Sequence, residues 1–495
     1  MQNVSDSWKN NQRQTLVDES YLEISFDIAD PDALQDASAS DDGSVYLANT
    51  AQIVSEVDKN IVPYATLEQN LFVLDGKRKA IPATDFGDTG YIGRTLSGAA
   101  GTFDVAPEVE ISFSVVHEPV IPGITITWGD AYGEYAESFK ILAYSGTELL
   151  AEKQITGNSS VKSIVEMDIQ GYNRIVVQVL RWCLPYHRPR ISEVFVGINK
   201  VYSKQDVMTY SHSQTVDPLS AALPKAEITF GIDNTSNDYD PNNITGMSKY
   251  LMERQEIRTR YGYQFGGVKE WIPGGVFYLS EWESPQNGLN ANFTARDILE
   301  FMTAIYTEGV YAPDGASLYT LAERVFQKAN LPLNSDGSVK WYIDESLKDI
   351  MTVAPLPLCS LAECLQLIAN AGCCVLYADR EGILHIEPAA VVASDYEINP
   401  INSYQKSEIS LSKPLSAVEV NVYSYFPGKE GEELFNGTVF VDGTKEVTVT
   451  YSDPAIGVSA AVTGGTLVSA VYNTYACKLT LTGSGDVTVV LTGAV

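Results

Sequence analysis

Two groups of aromatic and charged side chains have the composition of a sugar-binding surface. Their members are Trp128, Asp130, Tyr132, Trp182, Tyr186, His187 and Arg190. Aromatic faces stack on sugar rings and charged groups bond to the hydroxyls, so these seven residues predict a glycan-contacting surface. The alternative is that the aromatic residues fill the core of a jelly roll and the charged ones belong to a structural loop, which is the commoner use of such residues.

A segment rich in acidic and amide side chains, Asp233–Asn243, offers the oxygen ligands that Ca²⁺ prefers. It does not follow the EF-hand pattern. Counted from Asp238, the sixth position is Asn243 where glycine is needed, and the twelfth is Lys249 where glutamate is needed. We therefore expect an Asx-rich turn after a strand.

The cysteines and histidines give no pattern of a catalytic or metal site. Four cysteines surround one predicted helix: Cys359, Cys364, Cys373 and Cys374. A metal site would need all four thiolates on one centre, but adjacent residues of a strand, such as Cys373 and Cys374, point to opposite faces. We therefore predict buried free thiols around this helix. His385 lies in an alternating strand without a nearby nucleophile, and we expect it to be packed or on the surface.

The sequence also lacks the common catalytic signatures. It contains no H-E-x-x-H, no G-x-S-x-G, no G-x-x-x-x-G-K-[ST] and no C-x₂-C pair. Carboxylate pairs such as Glu281 and Glu283 arise by chance among 63 acidic residues. We predict that these 495 residues are not an enzyme and hold no cofactor and no metal.

The net charge of −30 has the sign that repels phosphate and acidic membranes. It argues against broad nucleic-acid binding, although a local basic patch is compatible with it. The N-terminus has no apolar segment, so we expect neither a signal peptide nor a stable membrane anchor. Six cysteines in 495 residues are typical of a chain that folds in a reducing cytoplasm.

The dominant pattern along the chain is the period-two alternation of β-strands. It is clear at Leu22–Ile28, Ile228–Ile232 and Val418–Val422. The turn-forming stretch Asp36–Gly43 interrupts the first strand region and predicts the start of an inserted domain. Many short strands between residues 64 and 197 predict a sandwich or jelly roll for that insertion.

Helical periodicity predicts three helices, at Ala295–Tyr306, Ser317–Lys328 and Ser360–Ala371. The last has a capping box formed by Ser360 and Glu363, and Gly372 stands where a C′ glycine is expected. A hairpin is predicted behind it, and together these elements form a small α+β module.

Three segments resemble the hub family of bacteriophage tails. The first comprises Leu223–Asn234, Asp238–Asn242, Tyr250–Leu251 and Gln255–Gly262; the second comprises Gly275–Trp282 and Phe293–Phe301; the third is the α+β module from Leu318 to Glu387. The strand at 21–30 is assigned to the same barrel, split by the insertion. The resemblance covers about 220–390 and depends on the pattern of strands and turns, without a catalytic signature.

This resemblance implies a homotrimeric ring at the tail tip or baseplate of the virion. Two similar barrels per subunit would make three copies nearly six-fold and let them meet a six-fold tail tube. The implied partners are other tail proteins: distal tail or tube, tape measure, and tip or fibre proteins. The protein would be made in the host bacterial cytoplasm.

The insertion resembles discoidin-like, galactose-binding-type jelly rolls. The similar segments are Tyr64–Asn70, Asp75–Gly76, Gly123–Trp128 and Arg181–Arg190. This second resemblance implies host surface glycan as a further partner, although a fold does not dictate a function.

The predicted fold class is mainly β with a small α+β module: two hub-type β-barrels, an inserted β-sandwich and a helix-containing α+β domain. The predicted domains are 1–40, the N-terminal segment and first strand of the first barrel; 41–200, the galactose-binding-like sandwich; 201–306, the rest of the first barrel; 307–395, the α+β hub module; and 396–495, a second hub-type barrel or C-terminal β region. The last residues, Thr492–Val495, carry no stop signal, which is compatible with a longer natural chain.

The function predicted first is a hub that joins the tail tube to the tip and opens for DNA passage. The alternative is a host-recognition protein whose jelly roll binds cell-surface or cell-wall glycan. A third hypothesis, a peptidase or wall hydrolase, would need a site beyond Val495.

Overall fold

The structure is a computed structural model. It describes residues 4–12, 14, 16–54, 61, 63–80, 88–216, 222–243, 246–265, 268–284, 289–309, 312, 314–331, 338–388, 417, 419, 426 and 428–495. Most of these residues are in β-strands, and one helix-containing region separates two β-regions, which confirms a mainly β fold with a small α+β module. Within the described part of the chain, no helix has the length and apolar character needed to cross a membrane.

The chain begins with a short helix, α1 (Asp6–Gln12), and a ten-residue strand, β1 (Ser20–Ala29). The alternation predicted for this strand is confirmed, because Ile24, Phe26 and Ile28 are fully buried. Helix α2 (Pro31–Asp36) follows at once. It begins where the Asp30 side chain accepts the Asp32 N–H, with proline at the first helical position.

The insertion is a sandwich of two antiparallel sheets, as predicted. Its strands are β2 (Ser38–Asp41), β3 (Tyr91–Ile92), β4 (Glu108–His117), β5 (Ile121–Trp128), β6 (Ala136–Ser145), β7 (Glu148–Thr156), β8 (Lys162–Ile169), β9 (Tyr172–Trp182) and β10 (Arg190–Phe195). One sheet has the order β2-β4-β9-β6-β7 and the other β3-β10-β5-β8. Residues from both sheets share one core, exemplified by Ile141 and Val177 from the first and Ile126 and Val194 from the second.

The chain then returns to the sheet that β1 began. The strands are β11 (Gly197–Ser203), β12 (Val207–Thr215), β13 (Lys225–Asp233), β14 (Glu256–Phe265), β15 (Val268–Glu283) and β16 (Asn290–Arg296). The order of this seven-stranded sheet is β11-β1-β14-β15-β16-β13-β12. Strand β1 pairs with β11 on one edge and with β14 on the other, so the sandwich interrupts a single sheet.

The seven-stranded sheet curls into an open barrel. Its two edge strands, β11 and β12, are consecutive in the chain, and the turn 204–206 that joins them is fastened by the Ser203 N–H on the Asp206 carboxylate at 2.8 Å. Apolar residues of several strands fill the interior, among them Phe26, Phe230 and Phe293. We call this unit the first barrel.

The helix predicted at Ala295–Tyr306 is wrong. Strand β16 continues to Arg296, and only a short 3₁₀ turn, Ile298–Phe301, follows it. The physical reason is tertiary pairing: β16 is hydrogen-bonded to β13 on one side and to β15 on the other, and this ladder outweighs the local helical pattern.

The α+β module contains the two longer helices. Its elements are β17 (Ala316–Ser317), α3 (Leu318–Ala329), β18 (Trp341–Ile343), β19 (Met351–Thr352), α4 (Leu361–Ala371), β20 (Cys374–Ala378) and β21 (Leu384–Pro388). The helices pack on a three-stranded sheet of order β18-β21-β20, with β18 parallel to β21. The predicted capping box of α4 and the predicted hairpin are both confirmed.

Two details at the end of α4 differ from the prediction. Gly372 has a negative φ of −85°, and Cys373 takes the left-handed conformation with φ of 52°. Strand β20 begins only at Cys374, so the two cysteines are not neighbours within one strand.

The C-terminal region is a small sheet folded over on itself. Its strands are β22 (Glu432–Thr450), β23 (Ile456–Thr463), β24 (Thr466–Tyr472) and β25 (Ala476–Ala494). Strand β25 pairs with β22 along one edge and with β24 and then β23 along the other. Leu479 and Val489, from opposite halves of β25, share one core. A Cβ on Gly483 would lie 3.3 Å from Val487 Cγ2, four residues further along, so β25 bends between the two halves.

This C-terminal sheet does not repeat the strand order of the first barrel in its described residues. Residues 396–416 of the predicted second barrel, and the strand predicted at Val418–Val422, lie outside the described residues, apart from the single position 419.

Candidate functional site

Four loops meet at the end of the sandwich where β5 and β9 finish and β10 begins. We call the segments 63–80, 93–102, 128–134 and 182–190, which are these loops with the adjoining strand ends, the loop pole. Backbone hydrogen bonds join two of them: the Ser97 N–H donates to the His187 carbonyl at 2.8 Å, and the Trp182 N–H donates to the Gly101 carbonyl at 2.8 Å. Side-chain contacts of Tyr132 and Glu134 join the other two segments to these, so the loops form one surface.

A buried carboxylate, Glu134, ties three of the loop-pole side chains together. Its oxygens accept the Trp182 Nε1–H at 2.8 Å, contact His187 Nδ1 at 2.8 Å and lie 3.4 Å from Arg190. All of these side chains are buried. A buried charge is tolerated only when it is paired and hydrogen-bonded, so this network requires a fixed arrangement of the loops.

A second buried carboxylate, Glu68, extends the network into the loop 63–80. It pairs with Arg190 and accepts the Arg188 backbone N–H at 2.8 Å. Burial alone would raise the pKa of Glu68, but the charge and hydrogen bond of Arg190 outweigh that effect and the pKa is lowered. Glu68 is thus held as a carboxylate that neutralises the buried guanidinium.

Tyr132 links the network to the surface. The Arg190 guanidinium lies 4.3 Å from the centroid of its ring, within cation–π distance. Its hydroxyl accepts the Tyr64 N–H at 2.8 Å, and the ring is half-buried. The tyrosine therefore serves the architecture of the pole while part of its surface faces solvent.

The structure brings the seven predicted glycan-contacting residues to this one pole, in two layers. Four are buried: Trp128, Trp182, His187 and Arg190. The Trp128 Nε1–H donates to Ser163 Oγ at 2.8 Å, and the centroids of the two indoles are 6.2 Å apart, edge to face. These four side chains have the roles in the core and in a structural loop that the alternative interpretation gives them.

Three of the seven have accessible surface: Asp130, Tyr132 and Tyr186. Tyr186 is half exposed and has the left-handed φ of 58°, held by the Tyr186 N–H bond to the Ser97 carbonyl at 3.0 Å. Asp130 is exposed and accepts the Ser192 hydroxyl at 2.7 Å. Glycan contact stays a prediction, and these are the predicted side chains positioned for it.

The structure adds residues that the sequence analysis missed. Glu68 and Glu134 lie 66 positions apart in the chain, and only the fold reveals that both pair with Arg190. Exposed apolar side chains also line the pole, including Leu67 and Phe72 at 90% and 58% exposure. Apolar residues inside a loop of turn-forming composition were the available signal for these two.

The other predicted sites have structural roles. Asp233 and Asp240 each accept the backbone N–H two residues later, which is the expected Asx turn. His385 contacts Asp379 at 3.2 Å and stacks on Tyr377. The cysteines are free; two of those predicted to be buried are buried, Cys359 is partly buried and Cys373 is exposed. No group of three or more potential metal ligands occurs among the residues that the structure describes.

No protein-family model matches the chain, and no curated protein sequence matches it. Some solved structures are similar. The lectin domain of lectinolysin, solved with Lewis B antigen, is 11% identical; the match covers 33% of this chain and 94% of that one, with a TM-score of 0.21. A fucose-binding module of Streptococcus pneumoniae is 12% identical, covers 34% and 94%, and has a TM-score of 0.20.

A third similar structure covers more of the chain. It is the 43 kDa tail protein of prophage MuSo2 from Shewanella oneidensis, 10% identical, with 59% of this chain and 95% of that one covered and a TM-score of 0.25.

Proposed function

We propose that the chain is a structural subunit of a bacteriophage tail, a hub at the tail tip or baseplate, and that its sandwich binds glycan at the loop pole. The observation that carries this proposal is the interrupted barrel. Strand β10 begins at the loop pole with Arg190 and ends at Phe195, and β11 enters the barrel at Gly197. The barrel thus holds the sandwich at one end and the pole lies one strand length away.

The order of units supports the hub. A barrel whose first strand precedes the insertion, followed by an α+β module, is the arrangement that the resemblance to the hub family implies. A rigid unit that carries a displayed loop surface suits a protein that is built into a particle and touches a cell. We infer the trimer from the first barrel and the α+β module alone, because the described residues of the C-terminal sheet do not repeat the strand order of the first barrel.

Light scattering of the purified chain over a range of concentrations tests the hub. A homotrimer of the 54.0 kDa chain has a mass of about 160 kDa. We expect that species to appear and to grow with concentration. A monomer at every concentration, also with the tail-tube protein added, would contradict the trimeric hub and leave the sandwich as the functional unit.

A glycan array probed with the intact chain tests the loop pole. We expect one class of glycan to bind and Tyr186→Ala to weaken that binding about tenfold, because an aromatic stacking face is lost. Tyr342→Ala is the matched control, since Tyr342 is an exposed tyrosine of the α+β module at 44% exposure against 50% for Tyr186. Equal binding by both variants would refute the loop pole as the contact surface.

Host recognition is the second candidate function, favoured by the exposed apolar residues of the pole. It differs from the hub in needing no trimer: a monomer that binds host glycan through the pole would establish it. In both cases we propose action by binding, without catalysis. Incubation with host cell wall should release no soluble fragments, and release of fragments would contradict this part of the proposal.

A further inference from the structure

A cleft with a volume of about 710 Å³ opens where the three units of residues 20–388 meet. Its floor is the outer face of the first barrel, formed by β1, β11, β14 and β15. Lys162 of the sandwich lines one side, and Arg380 and Glu381, from the turn between β20 and β21, line another. We call it the junction cleft. None of its lining residues belongs to the loop pole.

The junction cleft collects positive charge in a chain of net charge −30. Four cations line it, Lys162, Arg258, Arg260 and Arg380, against two lining carboxylates and a third, Glu256, that pairs with Arg258 from outside the lining. The volume lies in the range of small-molecule sites, and clefts between units are common places for ligands. A local excess of cations opposite to the sign of the whole chain favours an anionic ligand.

Two of the cations are already positioned. Arg260 pairs with Glu23 at 2.6 Å, and its guanidinium lies 4.7 Å from the centroid of the Trp271 ring. Arg258 pairs with Glu256 on the same strand. A guanidinium held in this way keeps further N–H donors in a fixed plane, which suits carboxylate and phosphate oxygens.

The other two cations have no carboxylate partner. Among the residues that the structure describes, no carboxylate lies within 4.0 Å of Lys162 or Arg380; Arg380 donates only to the Pro273 carbonyl, at 3.4 Å. Both side chains are exposed. They can therefore bind an anion without breaking an existing ion pair.

Uncharged polar groups and two carboxylates complete the lining of the cleft. Ser25 and Asn199 lie on its floor, joined by a hydrogen bond of 2.7 Å, and the carboxylates of Glu23 and Glu381 are acceptors beside the cations. A polyphosphate chain offers few hydrogen-bond donors to these acceptors, and the two carboxylates would repel its negative charge. Hydroxyls of a sugar can donate to them while an acidic group reaches the cations.

We propose that the junction cleft binds an acidic saccharide, a sugar or short sugar chain that carries carboxylate or phosphate groups. The charged groups bind Lys162 and Arg380, and the hydroxyls bond to Ser25, Asn199 and the two carboxylates. This site goes beyond the proposed function, since it shares no residue with the loop pole and would exist even if the pole bound nothing.

Isothermal titration calorimetry on the full chain tests the proposal. The probes are trigalacturonate, which carries carboxylates, glucose 6-phosphate, which carries a phosphate, neutral maltotriose and inorganic phosphate. We expect at least one of the two acidic sugars to bind, more weakly as salt rises, and to bind better than either control. The better of the two identifies the acidic group. Binding of neither acidic sugar, or no advantage over maltotriose or inorganic phosphate, overturns the assignment.

Variants locate the site. Lys162→Gln and Arg380→Gln should each weaken binding of the acidic sugar about tenfold, because each removes one charge-assisted contact. Lys328→Gln, at an exposed lysine of α3 outside the cleft, and Tyr186→Ala, at the loop pole, should leave it unchanged. Unchanged binding in both cleft variants, with unchanged thermal unfolding, refutes the cleft. Loss in Tyr186→Ala alone assigns the sugar to the pole and refutes it too.

Discussion

At the scale of the residue, burial gives Asp297 an unusual acid–base property. Its carboxylate accepts the Ala226 N–H at 2.8 Å and the Leu299 N–H at 3.1 Å, between the first barrel and the 3₁₀ turn after β16. Burial raises the pKa of Asp297 to about 6 despite these hydrogen bonds. The folded protein therefore holds this proton more tightly than the unfolded chain does.

We expect this proton to make stability depend on pH. Its contribution is complete below the unfolded pKa of 3.8 and is lost as the pH rises through the folded pKa of about 6. Relative to Asp297→Asn, the native protein should lose on the order of 3 kcal/mol of unfolding free energy between about pH 4 and pH 7. Urea denaturation of both proteins across this range measures the difference. A difference that stays constant with pH would contradict the raised pKa.

Thiol reactivity is a second property set by burial. Burial raises the pKa of Cys374 and of Cys477 to about 11, and raises that of Cys364 further. Cys373, which precedes Cys374 in the chain, is exposed. Because the thiolate is the reactive form, we expect a maleimide to modify Cys373 first in the folded chain. Mass spectrometry of the labelled peptides measures the order; Cys373→Ser should abolish the fast phase and Cys477→Ser should retain it.

The sequence predicted which residues meet at the candidate site, but it did not predict what each of them does there. The seven aromatic and charged residues do meet at one pole, because turns at the ends of strands gather there. Their sequence could not show that Trp128 and Trp182 face inward while Tyr186 faces outward. Nor could it pair Arg190 with Glu68 and Glu134, since these contacts depend on strand register and on loops far apart in the chain.

At the scale of the element, local rules held where the signal was local. The capping box at Ser360 fixes the start of α4 through two reciprocal hydrogen bonds within four residues. The helix predicted at Ala295–Tyr306 failed because strand pairing on both edges of β16 is a long-range interaction that a local period does not contain. The many short strands predicted between residues 64 and 197 are present, since turn residues bound them.

The bends of the C-terminal sheet allow a matched pair of substitutions. Gly443 and Gly464 both have a positive φ, 78° and 85°. A Cβ on Gly443 would meet nothing within 4 Å, whereas one on Gly464 would lie 2.6 Å from the Asp486 carbonyl oxygen. We expect Gly443→Ala to lower the unfolding free energy by about 1 kcal/mol, the cost of the left-handed backbone, and Gly464→Ala to lower it by about twice that or more. Thermal unfolding of both variants compares them, and equal losses would argue against the close approach at Gly464.

At the scale of the whole molecule, the sandwich and the first barrel are joined at a narrow place. Ala29 and Gly197, the last residue before the insertion and the first after it in the barrel sheet, are direct partners in the β1–β11 ladder. The barrel therefore needs only a tight turn at this position to be continuous.

We expect a chain in which residues 31–196 are replaced by a short glycine-rich turn to keep the first barrel and the α+β module folded. Its circular dichroism should remain that of a β-rich protein, with a cooperative thermal transition. If light scattering shows the proposed trimer for the full chain and for the shortened chain alike, the sandwich is dispensable for assembly. An unfolded product would show that the barrel depends on contacts with the sandwich, such as the one between Tyr250 and Asp168.

The same pairing sets an order of events during synthesis. Strand β1 is the first strand of the barrel to be synthesised. Its residue Ile24 gains a partner on one edge only when Tyr202 has been made, and on the other edge only when Thr259 has been made. The sandwich, whose strands lie within the intervening segment, can complete itself earlier, because domains fold as units during synthesis. Once folded, it brings Ala29 and Gly197 side by side and reduces the entropy lost in closing so long a loop. The inserted domain thus guides the maturation of the barrel that carries it, and a mutation that slows the folding of the sandwich should delay the barrel as well.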